Sequence, residues 1–294
     1  MHIIYTGMSD INGDYTMVNI FIFVLVTIAY YVFLKPSFSL ADAENMSSIT
    51  AVLSNQKWMS LIYFLAVVTI QVIINAIAIV NRCGDSSASN IFSAFTMTIV
   101  PWIFIFGIMM GFVMVYPGMK SAFSDVIGYL AVSYSANKLV TELLVDTDIE
   151  EQMGDEGMDE STKSSMRTAA QTIVRILGNM SVLINQVVPA NFSSFWKTLI
   201  PLMKPKYKNS LDGQETQKLQ QQFLTLSLVR DNVGEACWYI YTGVFVIFLV
   251  QSYIIGYKCD VDPRIMNEKY DEYLAKQKKE EEKEAQANSV KYKM

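Results

Sequence analysis

The sequence predicts an all-α, polytopic integral membrane protein with four transmembrane helices and a helical extramembrane domain between the third and the fourth. Three observations carry this prediction. Hydrophobic residues make up 52% of the 294 and are gathered in blocks, which is high for a soluble chain. Four blocks of 18 to 22 residues (17–34, 59–80, 98–116 and 236–256) contain no Asp, Glu, Lys, Arg or His. At 1.5 Å per residue each covers roughly the 30 Å of a bilayer core. Aromatic rings gather at the block ends, at the level where amphipathic rings meet headgroups.

Residues 1–116 comprise a polar tail and the first three spans. Met1–Thr16 has no Lys or Arg, so it lacks the basic region of a secretory signal, and 17–34 reads as a retained span. Lys35-Pro36 stops it, because Pro disfavours helical geometry in the residue before it. A polar connection follows, with a short helix around Asn45–Leu53. Trp58 opens the span 59–80, which closes on Asn81-Arg82 before a small-residue loop, Cys83–Met97. The third span carries Trp102 and Tyr116 near its ends and stops at Pro117-Gly118. Trp238, Tyr239 and Tyr241 mark one end of the fourth, Tyr253 and Tyr257 the other.

Residues 117–235 read as a mostly helical extramembrane domain. An amphipathic helix over 121–145 continues past a kink at Pro117-Gly118; a fifth span is the competing reading of that stretch. The loop 146–160 holds eight carboxylates without the glycine position of a calcium loop, so it reads as solvated. Thr168–Val188 has helical spacing and ends at Pro189. Asn191–Met203 fits either a membrane-interface helix or a core helix of the domain. Lys204, Lys206 and Lys208 form a modest basic cluster for headgroup or partner contact, and Leu219–Val233 is a helix feeding span four. The tail 257–294 has nine basic and nine acidic residues, so it reads as a solvated helix with i,i+4 pairs rather than a lipid-binding patch.

Four spans place the N-terminal tail, the Cys83–Met97 loop and the C-terminal tail on one side, and 117–235 on the other. The flanks of the first span run from no positive charge before it to Lys35 after it, which favours 117–235 on the cytosolic side. Asn45, Asn179 and Asn191 each head an Asn-X-Ser sequon on that side, and glycosylation there would invert the topology. Whether Cys83 and Cys259, on one predicted face, pair with each other is open at this level.

The composition argues against several functions. A net charge of −5 with interspersed signs offers no basic surface for nucleic acid. The one histidine, His2, sits in the tail, and Cys83, Cys237 and Cys259 lack metal-ligand spacing, so no catalytic, cofactor or metal site is expected. No P-loop, dinucleotide fingerprint, HExxH or nucleophile elbow occurs, so the chain reads as a non-enzyme. Charge-free spans count against active transport. The polar groups inside them, Gln71, Asn75 and Gln251, are expected to hydrogen-bond between helices. Gly107 and Gly111 form a GxxxG that permits close helix approach, within the bundle or between two copies of the chain.

The run Tyr116-Pro-Gly-Met-Lys-Ser-Ala-Phe-Ser-Asp-Val-Ile-Gly-Tyr-Leu130 follows a Pro/Trp-bearing span and precedes an acidic loop. With Phe123-Ser124-Asp125 and Ile127-Gly128-Tyr129 it resembles multi-span virion membrane proteins, or membrane-embedded minor capsid proteins, of nucleocytoplasmic large DNA viruses of the chlorovirus kind. The resemblance covers about fifty residues. It implies residence in a virion internal membrane derived from host endoplasmic reticulum, with capsid or other membrane proteins as partners of 117–235, and it brings no catalytic residues. Independently, a domain tied to the bilayer by a span at each end suits a tether between membrane and protein layer. The expected function is therefore structural anchoring and capsid assembly. The alternative is an oligomeric channel or pore.

Overall fold

The computed structural model describes residues 3–44, 46–84, 86–144, 179–188, 191–260 and 263–291. The acidic loop 146–160, the Asn45 sequon and most of the helix expected from Thr168 lie outside them. The protein is all-α: α1 (Ile3–Ala29), α2 (Leu40–Glu44), α3 (Met46–Cys83), α4 (Ala88–Pro101), α5 (Ile108–Val115), α6 (Ser121–Phe123), α7 (Tyr129–Leu143), α8 (Met180–Gln186), α9 (Phe192–Leu199), α10 (Pro205–Lys208), α11 (Gln214–Gly256) and α12 (Pro263–Lys291). Among the described residues, four helical stretches are long and apolar enough to cross a membrane: Tyr15–Leu34, Ser47–Cys83, Ala88–Val115 and Gln214–Gly256. The stretch 121–145 is not among them.

The helices outrun the apolar blocks. At 43 residues, α11 is ~65 Å long, about twice a bilayer core. Polar flanks do not end a helix when no Pro breaks it, and Gly234 keeps helical geometry, so Leu219–Val233 and span four are one rod. The third span likewise begins earlier than expected, inside the stretch read as a loop. Ser87 caps α4, its Oγ accepting from the Asn90 amide at 3.4 Å. Pro101 has no N–H to give, and the chain answers with a π-helical turn at Trp102–Gly107 that joins α4 to α5. A second π turn, Tyr30–Leu34, ends the first span, with Lys35 N donating to Tyr30 O at 2.8 Å.

The described chain falls into two compact units. One is Met1–Asn19, Val68–Ile103 and Val246–Met294. There a Cys83–Cys259 disulfide joins the end of α3 to the segment after α11, with Cα atoms 5.4 Å apart. Gly84 adopts φ 65°, the left-handed residue that ends α3. Asn90 Nδ2 donates to Asp260 O at 3.0 Å, and Asn90 Oδ1 accepts from the Asp260 amide and the Tyr257 hydroxyl. Arg82 Nη1 donates to Ile254 O at 2.8 Å. The residues of α12 from Tyr270 to Glu282 are all exposed, as a charged tail helix requires.

The other unit is Ile20–Val67 and Phe104–Phe245. Its core takes one face of α7 (Val132, Ala136, Leu139, Val140, Leu143), at the 3.6-residue period. Leu183 and Ile184 of α8 and Leu219, Phe223 and Leu224 of α11 share that core. Phe192, Trp196 and Leu199 of α9 are 1%, 5% and 3% exposed, so Asn191–Met203 supplies a core helix rather than a lipid-facing one.

Candidate functional site: a buried ladder of charge beside a cavity

The ladder belongs to the second unit and forms where three chain segments leave or enter the apolar blocks. Lys35 follows the π turn of the first span, Lys120 ends the 3₁₀ turn Pro117–Lys120 after the third, and Glu235 of α11 precedes the fourth block. Lys35 Nζ lies 2.7 Å from Glu235 Oε1, and Lys120 Nζ lies 2.6 Å from Glu235 Oε2 and 3.1 Å from Asp231 Oδ2. The Tyr31 hydroxyl donates to Glu235 Oε1 at 3.0 Å. With both carboxylate oxygens engaged by cations, the buried charge of Glu235 is compensated.

Local packing fixes these groups. Trp238 Nε1 donates to Met119 O at 2.8 Å, which pins the 3₁₀ turn to α11. Close approach comes from Gly234, where a Cβ would lie 2.6 Å from Ser124 Cβ and 2.7 Å from Ser124 N. Gly128 plays the same part against the backbone carbonyl of Arg230. Under the ladder lies a ring layer, with Tyr30 and Tyr63 stacked at 4.6 Å between centroids and Tyr63 and Tyr239 at 5.9 Å. Thr27 and Tyr63 share a hydrogen bond of 2.7 Å, Tyr30 and Ser60 one of 2.8 Å.

The two lysines respond differently to burial. For Lys35, burial outweighs the pull of Glu235 and lowers its pKa. For Lys120, burial works in the same direction, but Glu235 and Asp231 together overcome it and raise its pKa.

Beside the ladder is a cavity of about 460 Å³ whose lining includes the ladder residues, Asp125, Asn185 and Arg230 together with the apolar side chains of Phe38, Ile49, Met114 and Leu228. Arg230 is 1% exposed. Its Nη1 donates to Ile184 O and, at 3.5 Å, to Asn185 Oδ1. Its Nε is buried and has no hydrogen-bond partner among the described residues.

The residues singled out from the sequence are distributed as follows. The three span amides all lie in the first unit: Gln71 Nε2 donates to Asn19 Oδ1 at 2.7 Å, Asn75 Nδ2 to Thr98 Oγ1 at 3.1 Å, and Gln251 Nε2 to Asn75 Oδ1 at 3.1 Å. Gly107 falls in the π turn, and a Cβ on Gly111 would meet nothing within 4 Å. Lys206 pairs with Glu215 at 2.5 Å with both side chains about two-thirds exposed, while Lys204 Nζ donates to Thr141 O at 3.3 Å and Lys208 is exposed. The apolar blocks themselves hold no ionic group, and Lys35, Lys120, Asp231 and Glu235 form their ladder just past the block ends, where the sequence reading singled out no site. The four-span topology does contain a signal for it, since it puts the residues after spans one and three and before span four on one side.

Compared with protein-family models, curated proteins and solved structures, the chain matches none.

Proposed function

We propose that this protein is a structural, non-enzymatic membrane anchor whose 117–235 segment ties a bilayer to an overlying protein layer. In its fullest form this is the internal membrane of a virion, derived from host endoplasmic reticulum, held to a capsid by a minor capsid protein that assists assembly. One observation carries the reading. The described residues between 104 and 245 share a compact unit with residues 20–67, and the Lys35–Glu235–Lys120–Asp231 ladder braces it at the span ends. A segment held by ion pairs to the ends of its own spans transmits force to the bilayer instead of swinging on a linker.

The disulfide adds an orientation. Disulfides persist in oxidising compartments, so the Cys83–Cys259 side is lumenal or external, and 117–235 faces the cytosol, where a capsid layer would assemble. In that orientation Asn45, Asn179 and Asn191 carry no glycan. The span amides bond to one another rather than lining a pore, which weighs against the channel. Reconstitution into planar bilayers, together with extraction of lipid from native particles by mild detergent, tests the proposal. An anchor gives no conductance and stays with the protein shell. Unitary conductance with loss of the protein alongside the lipid would favour the channel.

A further inference from the structure

We propose that the cavity beside the ladder binds the phosphate oxyanion of an anionic amphiphile, with Arg230 as its principal contact. Buried charges in proteins are paired, because an isolated ion in a low-dielectric site costs several kcal/mol. Glu235 and Asp231 are taken up by Lys35 and Lys120. Arg230, at 1% exposure, has no carboxylate within 4 Å among the described residues; its partners are a carbonyl and a side-chain amide oxygen, and its Nε has none. The ionisable groups lining the cavity are Lys35, Lys57, Lys120 and Arg230 against Asp125, Asp231 and Glu235, four cations to three anions, and the carboxylates of Asp125 and Asp231 act on Arg230 only from beyond ion-pair distance.

The fork of a guanidinium matches the oxygens of a phosphate, and a free Nε–H is one of the donors such a contact uses. The rest of the cavity has the shape of the problem an amphiphile poses. Its volume of about 460 Å³ falls in the usual range for small-molecule sites, and Phe38, Ile49, Met114 and Leu228 add apolar wall to the charged lining. Its lining includes Lys35 and Pro117-Gly118, which follow directly on two apolar blocks. That is headgroup depth, where basic pockets between spans take lipid phosphates. A phosphate could come from a phospholipid or from solution, and the two sources are separable.

The test uses the full chain in phosphatidylcholine nanodiscs, in the same discs doped with phosphatidic acid, and in phosphatidylcholine discs with added inorganic phosphate. Retained lipid is read by native mass spectrometry and stability by thermal unfolding. The wild type should retain phosphatidic acid over phosphatidylcholine on the order of tenfold, and Arg230→Gln should bring that ratio near one. Leu53→Trp, which fills the cavity without touching a charge, should do the same while helicity and the Cys83–Cys259 bond stay intact. Stabilisation of the wild type by inorganic phosphate without any lipid preference, lost in both variants, would uphold the oxyanion site and assign it to a soluble phosphate. Equal retention of the two lipids with no response to phosphate would overturn the proposal.

Discussion

Lys35 Nζ and Glu235 Oε1 lie 2.7 Å apart although 200 residues separate them, and both side chains are 6% exposed. A pair this buried is costly to break from one side, because the remaining charge is left without compensation. Glu235→Gln strands Lys35, leaves Lys120 with Asp231 alone, and should destabilise the protein by about 3–5 kcal/mol. The exposed Lys206–Glu215 pair is the control, and Lys206→Ala should leave the unfolding temperature nearly unchanged. Thermal unfolding in detergent measures both. Equal losses would mean that the ladder is no more than a surface feature.

The two ladder lysines should respond to alkali in opposite senses. The pKa of Lys120 is raised above 10.5, so its contribution is complete below 10.5 and is lost as pH rises through the folded value. That of Lys35 is lowered below 10.5, so its charge costs stability until pH rises through the folded value towards 10.5, where the cost is relieved. The stability gap between wild type and Lys120→Met should therefore shrink above pH 10.5. The gap measured against Lys35→Met should move in the wild type's favour as pH approaches 10.5. Parallel curves for the two variants would remove the assigned directions.

Helix contact in the second unit depends on Gly234. An alanine methyl there would lie 2.6–2.9 Å from Ser124 Cβ, Ser124 N and Lys120 O, two of which are backbone atoms with little room to move. Gly234→Ala should cost about 1–3 kcal/mol. Gly111→Ala, with open space around it, should leave monomer stability unchanged. A change in oligomeric state on Gly111→Ala, seen by native mass spectrometry, would assign the GxxxG to contact between copies.

The disulfide closes a separation of 176 residues, and its loss in Cys83→Ser should lower stability by about 2–5 kcal/mol. Cys237, at the start of the fourth span, is free. Maleimide-polymer labelling of denatured protein should modify one cysteine without reductant and three with it. Three modified without reductant would show that the bond does not form in the cell and would remove the orientation drawn from it.

The sequence revealed what depends on local periodicity and hid what depends on distant pairing. Apolar blocks without charge located the four spans, and of the apolar positions in the amphipathic stretch 121–145, Val132, Leu139, Val140 and Leu143 are buried while Val126 and Leu130 are exposed. Helix ends were harder to read, because Arg230, Asp231 and Glu235 look like the edge of a domain although they continue the rod of α11. The ladder joins residues 111 and 200 positions apart, and no spacing rule connects those. Gly107 and Gly111 draw the eye as a motif. Gly128 and Gly234, isolated in sequence, make the close approaches. The choice between lipid and core for Phe192 and Trp196 likewise rested on partners, such as Phe223 of α11, that composition does not name.

The central claim is that 117–235 holds a bilayer to a protein layer, and crosslinking mass spectrometry on the native assembly tests it most directly. Lys204, Lys206 and Lys208 report the segment, and the four-span reading assigns the lysines of α12 to the other face of the membrane. The anchor predicts crosslinks from Lys204, Lys206 and Lys208 to capsid-type proteins and none from the α12 lysines to those proteins. Crosslinks confined to copies of this chain would contradict the anchor and favour an oligomeric pore.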